Sequence, residues 1–169
     1  LALQNQYGMN VNCCLFFMWF GFNGQGGLSQ ARVKQLLAAS SGWHDRVVKP
    51  LRRLRQQIDL LSQPLKQAVL DEELAAEQVE QLMLADTLWF ISRRIKSPPK
   101  KVADICRSVL AYCTVMGVKI DAVLCHHVQS LLCSAFPMLD PAEIAEICQQ
   151  RLTQQRMGGV VGTQLLLDL

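Results

Sequence analysis

Residues 13–22 read Cys-Cys-Leu-Phe-Phe-Met-Trp-Phe-Gly-Phe, ten consecutive positions with no charge and no strong hydrogen-bonding side chain except the Trp19 indole. A segment that is apolar on every side leaves water on every side, so it predicts a central, fully buried helix that the other elements surround. A membrane span needs about 18 to 20 apolar residues. Here Asn10 and Asn12 close one end of the run and Asn23-Gly24-Gln25 closes the other, so the run is too short to cross and no membrane association is expected.

A chain of 169 residues is long enough for one domain with a core that needs no disulfide staples. The 50% hydrophobic and 18% charged content fits a folded globular chain and excludes a disordered one. A net charge of +3 points to no particular partner. Leu1-Ala2-Leu3-Gln4 already reads as helix, so natural residues are expected to precede it; no signal peptide is visible.

The seven cysteines, Cys13, Cys14, Cys106, Cys113, Cys125, Cys133 and Cys148, are odd in number and contain no Cys-x-x-Cys. Each sits in an apolar helical pattern, which predicts reduced core thiols and a cytoplasmic location. Cys125-His126-His127, with Cys106, Cys113 and Cys133 nearby in sequence, is the one group with zinc-ligand chemistry. Adjacent histidines point about 100° apart on a helix, so Cys125 and His126 are only weak metal candidates. Neither a metal nor a cofactor is expected.

In chain order, residues 1–7 read as a helix stopped by Gly8, and Asn10 can cap the apolar helix. Gly21-Phe22-Asn23-Gly24-Gln25-Gly26-Gly27 follows a helix and lacks both the Gly-Lys-Ser/Thr ending and the Gly-x-Gly-x-x-Gly spacing of phosphate loops, so it reads as a flexible connector. Ser29 can cap a helix over residues 30–39, with Gly42 ending it. Val47, Leu51, Leu54, Ile58 and Leu61 then recur as a helical core stripe. Pro50 lies inside it and either kinks the helix or starts a new one. Arg46, Lys49, Arg52 and Arg53 fall on the side away from the stripe, with Arg55 at its edge, which predicts an exposed basic face.

Ser62-Gln63-Pro64 is a break, and residues 65–95 lack proline and glycine and favour one long helix. It carries an acidic block, Asp71, Glu72, Glu73, Glu77 and Glu80. Folding back about the break brings Arg53 level with Glu72, Arg52 with Glu73 and Lys49 near Glu77, which predicts an antiparallel hairpin. Most of the basic side chains nevertheless face away from the seam on a helical wheel, leaving basic surface over.

Several of these features together resemble the bacterial domain of unknown function 2390 family. They are Leu3-Gln4, Gly8-Met9-Asn10-Val11-Asn12 leading into a Leu/Phe/Trp helix, Trp43, Pro50-Leu51-Arg52-Arg53-Leu54-Arg55 and Glu73-Leu74-Ala75-Ala76-Glu77-Gln78-Val79-Glu80. The resemblance runs from residue 1 to about residue 136 and is strongest up to Glu80. It implies a cytoplasmic bacterial helical protein, with the residues before Leu1 part of a first helix, and it carries over no catalytic residue.

Ser97-Pro98-Pro99 separates the long helix from one over residues 100–116, stopped by Gly117. A further helix covers residues 120–135, and Asp140-Pro141 opens another leading to Arg156. Residues 158–169 read as a flexible tail whose Leu165-Leu166-Leu167 could dock on the bundle. No strand pattern competes. The expectation is an all-α domain over residues 1–157, a bundle of about seven or eight helices around the aromatic one.

Three groups could carry chemistry. His44-Asp45 reads as a helix-start pair, and Cys125-His126 cannot be a nucleophile and its base, because helical neighbours do not face each other. Glu73, Glu77 and Glu80 share a face but no Glu-x-x-His accompanies them, so they read as a solvated acidic face. The reading is therefore a non-enzymatic protein-interaction module presenting Arg46, Lys49, Arg52 and Arg53, flanked by Trp43 and Arg55, to an acidic partner or a second copy. The alternative is RNA or DNA contact through the same face. A helical enzyme or metal protein with a buried thiol and histidine site comes third.

Overall fold

The computed structural model describes residues 2–58, 63–88 and 95–153, and every regular element among them is helical. Helix α1 (Ala2–Tyr7) ends at Gly8, whose φ of 63° makes the turn into α2 (Val11–Phe22). Asn10 caps α2 as expected, its side chain accepting the Asn12 N–H at 2.9 Å. Phe16, Phe17 and Phe20 enter the core, and the Phe17 ring meets that of Tyr112 edge-on at 5.5 Å.

The apolar helix is not buried all round. It lies between two later helices, and its third side turns Leu15 and Trp19 outward, each 47% exposed. Phe22 is also exposed, its ring 5.3 Å from that of Phe136. Gly21 belongs to the helix and not to the loop after it; a Cβ there would collide with the Ile105 side chain, so the glycine sets a close helix crossing. The glycine-rich loop itself is packed where a flexible connector was expected. Gly24 and Gly26 adopt φ of 76° and 104°, and the Leu28 N–H donates to Ser108 Oγ at 2.9 Å.

Helix α3 (Gln30–Trp43), capped by Ser29, does not stop at Gly42. It continues through a π-helical turn, His44–Val48, into α4 (Lys49–Ile58). Two residues explain this. Gly42 has no side chain to obstruct Arg46, whose Nε donates to the Gly42 carbonyl at 3.0 Å. Pro50 would clash with the carbonyl four residues back in a regular helix, and the wider turn, in which the Lys49 N–H reaches the His44 carbonyl, supplies the extra residue.

Helix α5 (Gln63–Thr87) stops earlier than the expected residue 95: Leu88 leaves the helix and is buried, its N–H bonded to the Ala85 carbonyl. Cross-links from Arg52 to Glu73 and Glu77, and from Arg55 to Glu73, show that α4 and α5 run antiparallel, as the hairpin reading expects. The turn between them, residues 59–62, lies outside the described residues.

Helices α6 (Pro98–Met116), α7 (Ala122–Ala135) and α8 (Pro141–Thr153) complete the fold. Gly117 closes α6 at φ 68°. Asp121 caps α7 and also accepts from the Tyr7 hydroxyl at 2.7 Å, tying α1 to it. Helix α6 packs on α2, α3 and α8, and so shares with α2 the central place that the aromatic run alone was expected to hold. Among the described residues no helix is long and apolar enough to cross a membrane. The expected tail, residues 158–169, lies outside them.

Candidate functional site

The carboxylate of Glu80 lies in the interior, 0% exposed. Asn12 Nδ2 donates to its Oε2 at 2.6 Å, Asn10 Nδ2 donates to its Oε1 at 2.7 Å, and His44 Nδ1 lies 3.1 Å from Oε2. The same His44 nitrogen is 3.1 Å from Asn10 Nδ2, so it either donates to Glu80 or accepts from Asn10; the charge on the carboxylate favours donation. Tyr112 joins from α6, its hydroxyl accepting the Asn10 N–H at 2.8 Å. Burial pushes the Glu80 carboxyl up, but the bonds from His44, Asn12 and Asn10 outweigh it and hold the group below the usual glutamate value.

This constellation corrects two expectations. His44 is not a helix-start residue: the chain is already helical through α3, and His44 continues the buried Val33, Leu36, Ser40 stripe inward. Glu73 and Glu80 are not a solvated face, because Val69, Glu73, Ala76, Glu80 and Leu84 form the buried stripe of α5. The signal was present in that stripe, where two glutamates hold core positions between apolar residues. The sequence reading also missed Asn10 and Asn12 as carboxylate partners, and Tyr112. Both Glu80 carboxylate oxygens are bonded by side chains of the cluster, an arrangement that joins α2, the π turn, α5 and, through Tyr112, α6.

A second buried carboxylate, Glu73, sits about two turns away along α5. Glu73 receives Arg52 Nε at 2.9 Å and Arg55 Nε at 2.5 Å, and Arg52 also bonds Glu77. Burial raises the Glu73 pKa, and the two guanidiniums more than reverse it. The expected basic face is thus divided. Arg52, its side chain only 12% exposed, and Arg55 serve the seam. The Trp43 indole N–H donates inward to the Ala76 carbonyl at 2.8 Å. Arg46, Lys49 and Arg53 remain exposed, Lys49 paired with Asp45 at 2.7 Å.

Among the grooves on the described surface, two are large. One, of about 490 Å³, runs between α2 and α5 and is walled chiefly by Leu15, Phe16, Trp19, Leu74, Leu82 and Ala85. The other, of about 690 Å³, lies between α7 and α8; Cys125, His126 and Cys148 are on its wall. Among the described residues no three His, Cys, Asp or Glu side chains are placed to hold a metal ion, so Cys125 and His126 do not form a site there.

Residues 1–84 match the family described as protein of unknown function, DUF2390. Over that stretch the chain belongs to the DUF2390 family. No curated protein and no solved structure matches it. The DUF2390 match ends well short of residue 136, where the resemblance in sequence was expected to end. It contains α1 to α4 and most of α5, and with them Asn10, Asn12, His44, Glu73 and Glu80. It does not contain Tyr112 or any of α6, against which the DUF2390 segment buries its aromatic helix.

Proposed function

We propose that this protein is a non-enzymatic interaction module whose docking surface is the α2–α5 groove, and that the occupant is an amphipathic helix with an acidic flank from a partner protein. The observation that carries this reading is the groove itself. It is open, and Leu15, Leu74 and Leu82 line it, Leu82 being 65% exposed. A groove of this shape between two helices accepts a third helix through apolar side chains at i, i+3, i+4 and i+7. The acidic flank is part of the proposal: α4, which packs on α5, carries the exposed Arg53, and Arg46 is exposed on the turn before it. The closed bonding of Glu80 and Glu73 argues against general acid–base chemistry at either one.

The test is affinity capture from an extract of the native source, with and without nuclease, repeated with Leu82→Arg and with Arg46→Glu/Arg53→Glu. A protein partner retained by the wild type, lost on Leu82→Arg and weakened at low salt by the charge reversals supports the reading. Recovery that vanishes on nuclease treatment would assign the basic residues to RNA or DNA instead.

A further inference from the structure

The sulfur atoms of Cys106 on α6 and Cys148 on α8 lie 3.8 Å apart in the core. Cys148 also lines the α7–α8 groove, with Cys125 and His126 on the same wall, while Cys106 sits behind it. We propose that Cys106 and Cys148 are a reversible oxidation site, in which a small hydroperoxide entering the α7–α8 groove converts the two thiols into a disulfide joining α6 to α8.

The chemistry is complete with these two residues and the peroxide. The Cys148 sulfur attacks one peroxide oxygen; an S–O bond forms, the O–O bond breaks, and the leaving hydroxide or alkoxide takes up the thiol proton. Cys148 is then a sulfenic acid and the peroxide is reduced to water or an alcohol. The Cys106 sulfur attacks Cys148; the S–S bond forms, the S–O bond breaks, and hydroxide leaves with the Cys106 proton as water. The sulfurs must close from 3.8 Å to a bond length of about 2.05 Å. Cys148 acts first because it lines the groove by which the peroxide enters, whereas Cys106 lies behind it.

The other buried thiols provide an internal control. Cys13 and Cys14 lie on α2, outside the residues that wall this groove, and desolvation pushes Cys14 up to about 12. The experiment treats native full-length protein with hydrogen peroxide, blocks remaining thiols after unfolding, and maps peptides from trypsin combined with a glutamate-specific protease. Cleavage after Glu146 separates Cys148 from Cys125 and Cys133. The expected product is a Cys106–Cys148 cross-linked peptide that dithiothreitol removes, with Cys13 and Cys14 still reduced. In Cys106→Ser, dimedone should trap a sulfenic acid at Cys148. A disulfide between Cys148 and Cys125, all seven thiols still free, or oxidation of Cys13 and Cys14 at the same rate would overturn the proposal. The wild-type map decides this whether or not the variant folds.

Discussion

Replacing Glu80 with alanine would leave the Asn10, Asn12 and His44 donors facing a void in the interior. An unsatisfied buried polar group costs about 1–3 kcal/mol, so Glu80→Ala should lose about 3 kcal/mol or more in urea denaturation. Glu80→Gln keeps the shape but turns an amide donor toward other donors and should fall between. The sign with pH follows from the lowered pKa. A carboxylate held below its unfolded value of 4.5 contributes stability that is fully present above that pH and is lost as pH falls through the folded value. Wild type should therefore lose stability relative to Glu80→Gln on acidification below about pH 4.5, and parallel profiles would show that Glu80 is not the group responsible. Arg52 and Arg53 make a paired test of the seam. Removing the Arg52 side chain frees one side of a buried carboxylate and should cost about 1–3 kcal/mol, whereas Arg53→Ala should stay within about 0.5 kcal/mol. Equal effects would place Arg53 in the seam with its neighbour.

Among the elements, the crossing of α2 over α6 depends on Gly21. Its missing Cβ is the space occupied by Ile105. Gly21→Ala should destabilise by about 1–3 kcal/mol despite the better helix propensity of alanine, because overpacking a close contact outweighs a propensity gain of about 1 kcal/mol. Truncating Ile105 to alanine in the same chain, which removes the Cγ1 atom that the new methyl group would meet, should recover part of that loss, as measured by a double-mutant cycle. Additive effects would mean that the two residues do not meet. The π turn is a different kind of element, set by Pro50 on one side and by the seat of His44 beside Glu80 on the other.

For the whole molecule, the boundary of the DUF2390 match does not coincide with a folding unit. Residues 1–84 include α2, yet the ring of Tyr112 and the side chain of Ile105, which cover one of its two buried sides, come from α6. A fragment covering residues 1–88 should retain helical circular dichroism but lack a cooperative thermal transition and bind a hydrophobic dye. A sharp transition in that fragment would show that α6 to α8 are an accessory layer. The same dependence places Asn10 at the centre of the molecule, since it touches α5 through Glu80, the π turn through His44 and α6 through Tyr112.

The all-α architecture, the caps at Asn10 and Ser29, the break at Ser97-Pro98 and the antiparallel α4–α5 hairpin with its Arg52–Glu73 pair were legible in the residues themselves. Each depends on neighbours within a turn or on charge matching across one short connection. Tertiary structure decided the rest. Whether a glutamate in an amphipathic helix faces water or the core is set by the donors that await it, and those of Glu80 lie 36 to 70 residues away in the chain. A helical wheel ranks faces by hydrophobicity and places both Glu80 and Arg52 outside, because it holds no information about a partner on another helix. In the same way the aromatic run specifies that α2 is apolar all round, but only the packing of α5 and α6 determined which two sides are covered and left Leu15 and Leu82 on an open groove.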